Sequence, residues 1–177
     1  MNVKILKTYE GILVDADILN AKDIKIKLPS LTDNWRFNFN KHTKHKNIET
    51  YVLISRALPN QIEGCLTFEM KDKKEPYMAY IEVAPHNKGK ARKYDRIAGC
   101  LIAFACRLSF IKGQDDYNGY LAFDVLEEIK EDEVKLMAMY SDKYNALRIG
   151  NSTTMLIIPE GGKKLIDEFL KIDNYES

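Results

Sequence analysis

Five cations, Lys88, Lys90, Arg92, Lys93 and Arg96, stand between a strand-like segment that stops at Pro85 and an almost wholly apolar segment that opens near Ala98. The first amides of a helix have no partner inside it and carry the positive end of its dipole. Basic side chains just ahead of a buried helix N-terminus therefore make a cradle for an anion. On composition alone the same cations read as a solvated loop; their place between strand and helix favours phosphate. His42 and His45, with Glu49 four further on, would share one face of a helix and could hold a metal. No Cys or Asp completes that set, so Lys41–Lys46 reads as a solvated basic loop. Cys100 and Cys106 lie in the apolar segment with no His nearby in sequence, and read as small buried hydrophobes rather than nucleophiles. No phosphate-binding Walker loop, dinucleotide fingerprint or zinc motif is present.

These groups need a frame. Val3 to Tyr9 alternates apolar and Lys-rich faces and predicts a strand. Ile12 to Leu28 fits two readings: a helix capped by Asp15 or Asp17, or an extended segment in which Ile24, Ile26 and Leu28 alternate with charges. Trp35, Phe37 and Phe39 read as core or pocket wall. Glu49 to Leu58, Ile62 to Lys71 and Tyr77 to Val83 are β-rich runs separated by turn residues, and predict a three-stranded antiparallel meander. Ala98 to Ile111 is apolar on nearly every side and predicts a broadly buried helix. The strand after it, Gly119 to Val125, should then lie parallel to Tyr80–Val83. Acids crowd Glu127 to Glu133, as suits a loop or a helix first turn. Val134 to Asn145 predicts a helix, Ala146–Gly150 and Thr153–Ile158 a last strand pair, and Pro159 the start of a last helix.

The chain of 177 residues, 45% hydrophobic and 30% charged, is of one-domain size and ordinary globular composition. A formal net charge of +1 gives no global attraction to nucleic acid or membrane. Cys65, Cys100 and Cys106 lack the spacing of a disulfide framework, so a reducing cytoplasm is expected. The first residues lack the apolar core of a signal peptide, and no run approaches the length of a membrane span.

Two stretches carry a resemblance. Ile81-Glu82-Val83-Ala84-Pro85, with the loop and Gly99-Cys100-Leu101-Ile102-Ala103-Phe104-Ala105, resembles the cofactor strand, pyrophosphate loop and central helix of the GNAT (N-acetyltransferase) superfamily. Leu136-Met137-Ala138-Met139-Tyr140-Ser141-Asp142-Lys143-Tyr144-Asn145-Ala146 is similar to that superfamily's late helix and turn. The order of elements over residues 50–170 agrees, and the first stretch is also similar to a sparsely characterised bacterial subgroup. The implied fold is α/β, with a mixed sheet of antiparallel meander plus parallel strand pair around a buried central helix. Lys93 stands where the superfamily has Arg or Gln, Arg96 replaces a loop glycine, and Asn145 replaces a turn glycine. A glycine lets backbone approach phosphate closely; Arg96 removes that freedom and adds a fixed cation.

What the resemblance implies is transfer of an acetyl or other short acyl group from acetyl-CoA to a small-molecule or peptide amine by direct attack, without a metal. Backbone around Ile81, Glu82 and Val83 would pair with the pantetheine arm. The amides of Tyr94, Asp95, Arg96, Ile97, Ala98 and Gly99 would face the pyrophosphate, with Lys88 and Lys93 among the added cations. Tyr140 matches the general acid that reprotonates the leaving thiolate. Glu82 on the cofactor strand is either a general base or a salt-bridged rim carboxylate. His86 is a weaker base, and Asp124 a group that could bind an amine. Two other readings stay open: a non-catalytic CoA-binding member of the fold, and a nucleic-acid or protein-binding module using Lys88–Arg96. The second is disfavoured because no aromatics are interleaved with those cations.

Overall fold

The computed structural model describes residues 1–171. Nine strands form one sheet: β1 (Asn2–Lys7), β2 (Ile12–Asn20), β3 (Ile48–Ser55), β4 (Ile62–Lys71), β5 (Glu75–Val83), β6 (Tyr94–Asp95), β7 (Leu121–Asp124), β8 (Leu147–Arg148) and β9 (Thr154–Ile157). Their spatial order is β6-β1-β2-β3-β4-β5-β7-β9-β8. Every neighbouring pair is antiparallel except β5 and β7. The helices are α1 (Phe39–His42), α2 (Ile97–Lys112), α3 (Lys130–Tyr144) and α4 (Pro159–Phe169). The expected meander, buried helix and parallel strand are all present.

The helical reading of Ile12–Leu28 is corrected. Ile12–Asn20 is strand β2, and its acids make ion pairs towards the neighbouring strands rather than a cap: Asp15 pairs with Lys4 of β1 and Asp17 with Arg56 just after β3. The acidic run is the first turn of α3, where Glu131, Asp132 and Glu133 face the positive end of the dipole. That helix ends at Asn145 in the left-handed conformation (φ 54°), which Asn tolerates better than most residues.

Two apolar clusters hold the sheet from its two faces. α2 lies on one, packing Ile97, Leu101 and Cys106 against Val3, Leu66, Phe68 and Met78. Trp35 and Phe39 cover the other, over Val52, Ile54, Cys65 and Ala84. Two glycines set the depth of α2. A Cβ on Gly64 would stand 2.6 Å from the Ile97 side chain, and one on Gly99 2.2 Å from the Phe169 ring. The first lets the helix sit on β4, and the second lets α4 sit on the helix.

The register between β4 and β5 breaks at one place. Thr67 faces Tyr80 but Phe68 faces Met78, so Ala79 is an extra residue, a β-bulge. Alternation would put Met78 and Tyr80 on one face. The bulge divides them: Met78 packs under α2 and Tyr80 packs among the opposite cluster. β5 meets β7 only at Tyr77 and Ala122. Beyond that pair the parallel strands separate, and a cleft opens between their C-terminal ends.

Candidate active site

The cleft is lined by Met78, Ala79, Tyr80 and Ile81 from β5 and by Phe123, Asp124, Val125 and Leu126 from the end of β7. Leu136 and Tyr140 of α3 close it from above, and Arg36 and Phe37 from the side. It encloses about 90 Å³, well below the range of ordinary ligand pockets, and so is a narrow slot.

The strand edge beside the slot is free to pair. The Ala84 amide donates to the Glu63 carbonyl of β4 at 2.8 Å. By the two-residue period, Glu82 and Tyr80 also turn their backbone groups to β4. Ile81 and Val83 then direct N–H and C=O the other way, into the gap, and an extended arm laid there would meet them as a strand would.

Tyr140 stands over this edge. Its ring packs against Phe123 at 4.9 Å and Tyr144 at 5.9 Å. Its hydroxyl has no hydrogen-bond partner among the described residues. Burial pushes its pKa up to about 12; Tyr144 and Glu127 add to that and Arg36 opposes it. The phenol therefore holds its proton at any physiological pH, on a side chain that lines the slot.

Glu82 points away from the slot, through the sheet. Its carboxylate accepts from the backbone amides of Arg36 (2.9 Å) and Phe37 (3.0 Å) and from the Lys88 ammonium (2.5 Å). Three donors fill most of its roughly four lone-pair sites, and all three come from the chain itself. The arrangement anchors a strap. Residues 35–37 leave β5 at Glu82 and reach the β7 end, where the Arg36 guanidinium donates to Glu127 at 2.6 Å and to the Leu126 carbonyl at 3.0 Å. Asp124 also sits at the mouth, accepting from Tyr77 (2.7 Å), Thr154 (2.8 Å) and Thr153 (3.1 Å). Burial pushes this carboxyl up, but those three hydroxyls outweigh it and hold the pKa below the usual range.

The anion cradle is narrower than the sequence predicts. The Tyr94 amide donates to Asn87 Oδ1 at 3.0 Å, Asp95 pairs with Leu6 of β1, and the Arg96 amide is capped by the Asp95 carboxylate at 2.7 Å. None of the three is free to bind a phosphate. The cations are mostly engaged too. Lys88 is on Glu82, Arg92 on Asp95 at 2.8 Å, and Arg96 donates to the Glu168 carbonyl of α4 at 2.7 Å with its guanidinium over the Phe169 ring. The Lys93 ammonium lies 5.2 Å from the Tyr94 ring centre. The amides of Ile97, Ala98 and Gly99, the first turn of α2, carry no partner among the described residues. Arg96 occupies the left-handed region (φ 71°), the conformation a glycine would take there without strain.

Asn87 and Glu63 were not foreseen, and they shape this loop. Glu63 is fully buried; its Oε2 accepts from Asn87 Nδ2 at 2.7 Å and lies 2.6 Å from His86 Nε2. Asn87 thereby ties the loop to β4 and fixes Tyr94. His86 is turned to Glu63 and Gln61, not to the slot. Phe37, read as core or pocket wall, does line the slot; Arg36 was not singled out, and the signal available was a charge between two aromatics in a short alternating run. Cys100 and Cys106 are buried with thiols pushed up to about 12, which makes them inert. Among the described residues no helix is long and apolar enough to cross a membrane.

No family model and no curated protein matches the chain. Solved structures do. The KacTA–DNA complex contains a chain that superposes with a TM-score of 0.57 at 12% identity, over 86% of this chain and 99% of that one. A tyrosine-to-phenylalanine variant of the toxin AtaT, bound to acetyl-CoA and the C-terminus of the antitoxin AtaR, gives 0.55 at 15% identity, over 85% and 98%. A Klebsiella pneumoniae protein assigned as an acyl-CoA N-acyltransferase gives 0.52 at 13% identity, over 80% and 95%. The fold is that of the GNAT acetyltransferases.

Proposed function

We propose that this GNAT-fold chain is an acyltransferase that moves a short acyl group, acetyl first, from coenzyme A to an amine by direct attack. The observation that carries the reading is the slot between β5 and β7 with an unbonded, protonated tyrosine hydroxyl over it. The thioester, when bound, supplies the activated acyl group. Ile81 and Val83 hold its arm through backbone hydrogen bonds, and their N–H groups stand ready for charge that grows on the carbonyl oxygen. Tyr140 donates its proton at the hydroxyl to the departing sulfur and regains one from the attacking nitrogen through water, so that one proton passes from amine to thiol as the C–N bond forms and the C–S bond breaks. Burial that raises the phenol to about 12 would raise a thiol there too, as it does Cys100 and Cys106, so donor and acceptor stay matched.

At the phosphate end Ile97, Ala98 and Gly99 offer amides at the α2 N-terminus, with Lys93 and Lys90 the loop cations whose side chains have neither an ion pair nor a hydrogen bond among the described residues. Glu82 positions the strap and is not the base. Because Lys88, Arg92 and Arg96 are engaged within the chain, the Lys88–Arg96 run gives little support to a nucleic-acid-binding module.

Tyr140→Phe tests the assignment. Turnover with acetyl-CoA and an amine panel should fall while acetyl-CoA affinity holds. Unchanged turnover would remove Tyr140 from the chemistry, and turnover absent in the parent chain would favour a non-catalytic member of the fold.

A further inference from the structure

A second, wider groove joins the slot on the face away from α2. It encloses about 540 Å³ and shares Phe37, Ala79, Tyr80, Asp124 and Leu126 with the slot, so the two are continuous. Its wall is a run of rings. His45 stacks on His42 with centroids 6.1 Å apart, His42 on Tyr80 at 4.2 Å, and Tyr80 meets Phe37 at 4.9 Å. Tyr77 adds a fifth ring. The bulge at Ala79 is what presents Tyr80 to this face.

We propose that this groove binds the acyl acceptor, and that the acceptor is a primary amine joined by a short chain to a flat aromatic ring. The volume suits a ring with a short chain. Ring faces and edges carry opposite partial charge, so an aromatic ligand gains from offset or edge contacts where a saturated ring of equal size gains only burial. The charge pattern orients it. Asp124 stands where groove and slot meet, kept ionised by three hydroxyl donors, and draws the ammonium inward. Lys71, held 3.3 Å over the Tyr77 ring centre, keeps its charge and adds to what holds Asp124 ionised. Glu69 adds a second acid to the wall. The pKa of His42 is lowered by burial, then by His45 and Lys41, which favours its neutral ring, the one stacked on Tyr80. The acyl-transfer step rests on the acyltransferase reading; binding of the amine does not.

The test uses the full chain with two probes, phenethylamine and its saturated counterpart cyclohexylethylamine. Affinities are measured by calorimetry without donor, and turnover with acetyl-CoA. The aromatic amine should bind about tenfold more tightly, the equivalent of about one or two ring contacts. The same ratio should appear in kcat/KM. Tyr80→Leu should bring the ratio towards one, and His42→Ala, at a half-buried rim position, should lower it without loss of fold. Equal affinity for the two amines would overturn the inference, as would a preference that survives His42→Ala and Tyr80→Leu. Selective binding without turnover would keep the groove and reject the acyltransferase reading. Turnover of both amines at equal efficiency would do the reverse.

Discussion

Replacing Tyr140 by Phe removes one oxygen and leaves the ring between Phe123 and Tyr144. Loss of a positioned acid costs about 10²–10⁴ in rate. We therefore expect kcat to fall at least about a hundredfold, with little change in acetyl-CoA affinity or thermal midpoint; steady-state kinetics beside calorimetry would show it. The proton stays on this phenol until about pH 12, so Tyr140 gives no alkaline limb in kcat below about pH 11. The helix that carries Tyr140 was legible in its apolar period and Asn145 stop, but the residue itself stood out only through the resemblance of residues 136–146. The Glu82 assignment was half legible. A carboxylate on a buried strand is visible in one dimension; the amides of Arg36 and Phe37 that absorb it come from 46 and 45 residues away.

The strap at residues 35–37 and the depth of α2 are properties of elements. Glu82→Gln swaps one acceptor oxygen for a donor that must face either the Arg36 or the Phe37 amide, and should cost about 1–3 kcal/mol. Chemical denaturation would register that loss. A general base would behave otherwise, losing turnover at unchanged stability. Gly99→Ala forces a methyl against the Phe169 ring and should cost about 1–3 kcal/mol, because packed cores resist added volume. An unchanged denaturation midpoint would mean that α4 does not sit closely on α2. The strands and the buried helix were readable from alternation and continuous apolarity. Ile12–Asn20 was not: its acids suit a helix cap and a strand edge equally, and only pairing with Lys4 and Arg56 decides. The bulge at Ala79 left no trace in composition, since register is fixed by the partner strand. The narrowing of the cradle was hidden for the same reason: Glu63 of β4, through the loop's own Asn87, and Leu6 of β1 claim the loop from other strands.

At the scale of the molecule, buried phenols set the alkaline limit. Tyr140 and Tyr144 are pushed up to about 12, chiefly by burial. Tyr51 and Tyr77 are raised as well, by burial and then by hydrogen bonds to Glu49 and Asp124. Below the ordinary tyrosine value, about 10, folded and unfolded chains hold the same protons and these groups give no slope. Above it the unfolded chain releases protons that the folded chain keeps, so stability falls as pH rises from about 10 towards 12. Thermal midpoints taken from pH 8 to pH 11 should be flat and then decline; a flat profile to pH 11 would mean that the rings are not buried. The central claim, that the gap between β5 and β7 and the first turn of α2 receive an acyl-CoA, is tested most directly by a thermal titration of the parent chain with acetyl-CoA, with dephospho-CoA alongside. At about 100 times Kd the bound state gains roughly 2.7 kcal/mol, a shift on the order of 5–10 °C for a chain of this size. A saturable rise of that order is the predicted result. No rise at millimolar acetyl-CoA would contradict the claim and leave the fold without the activity.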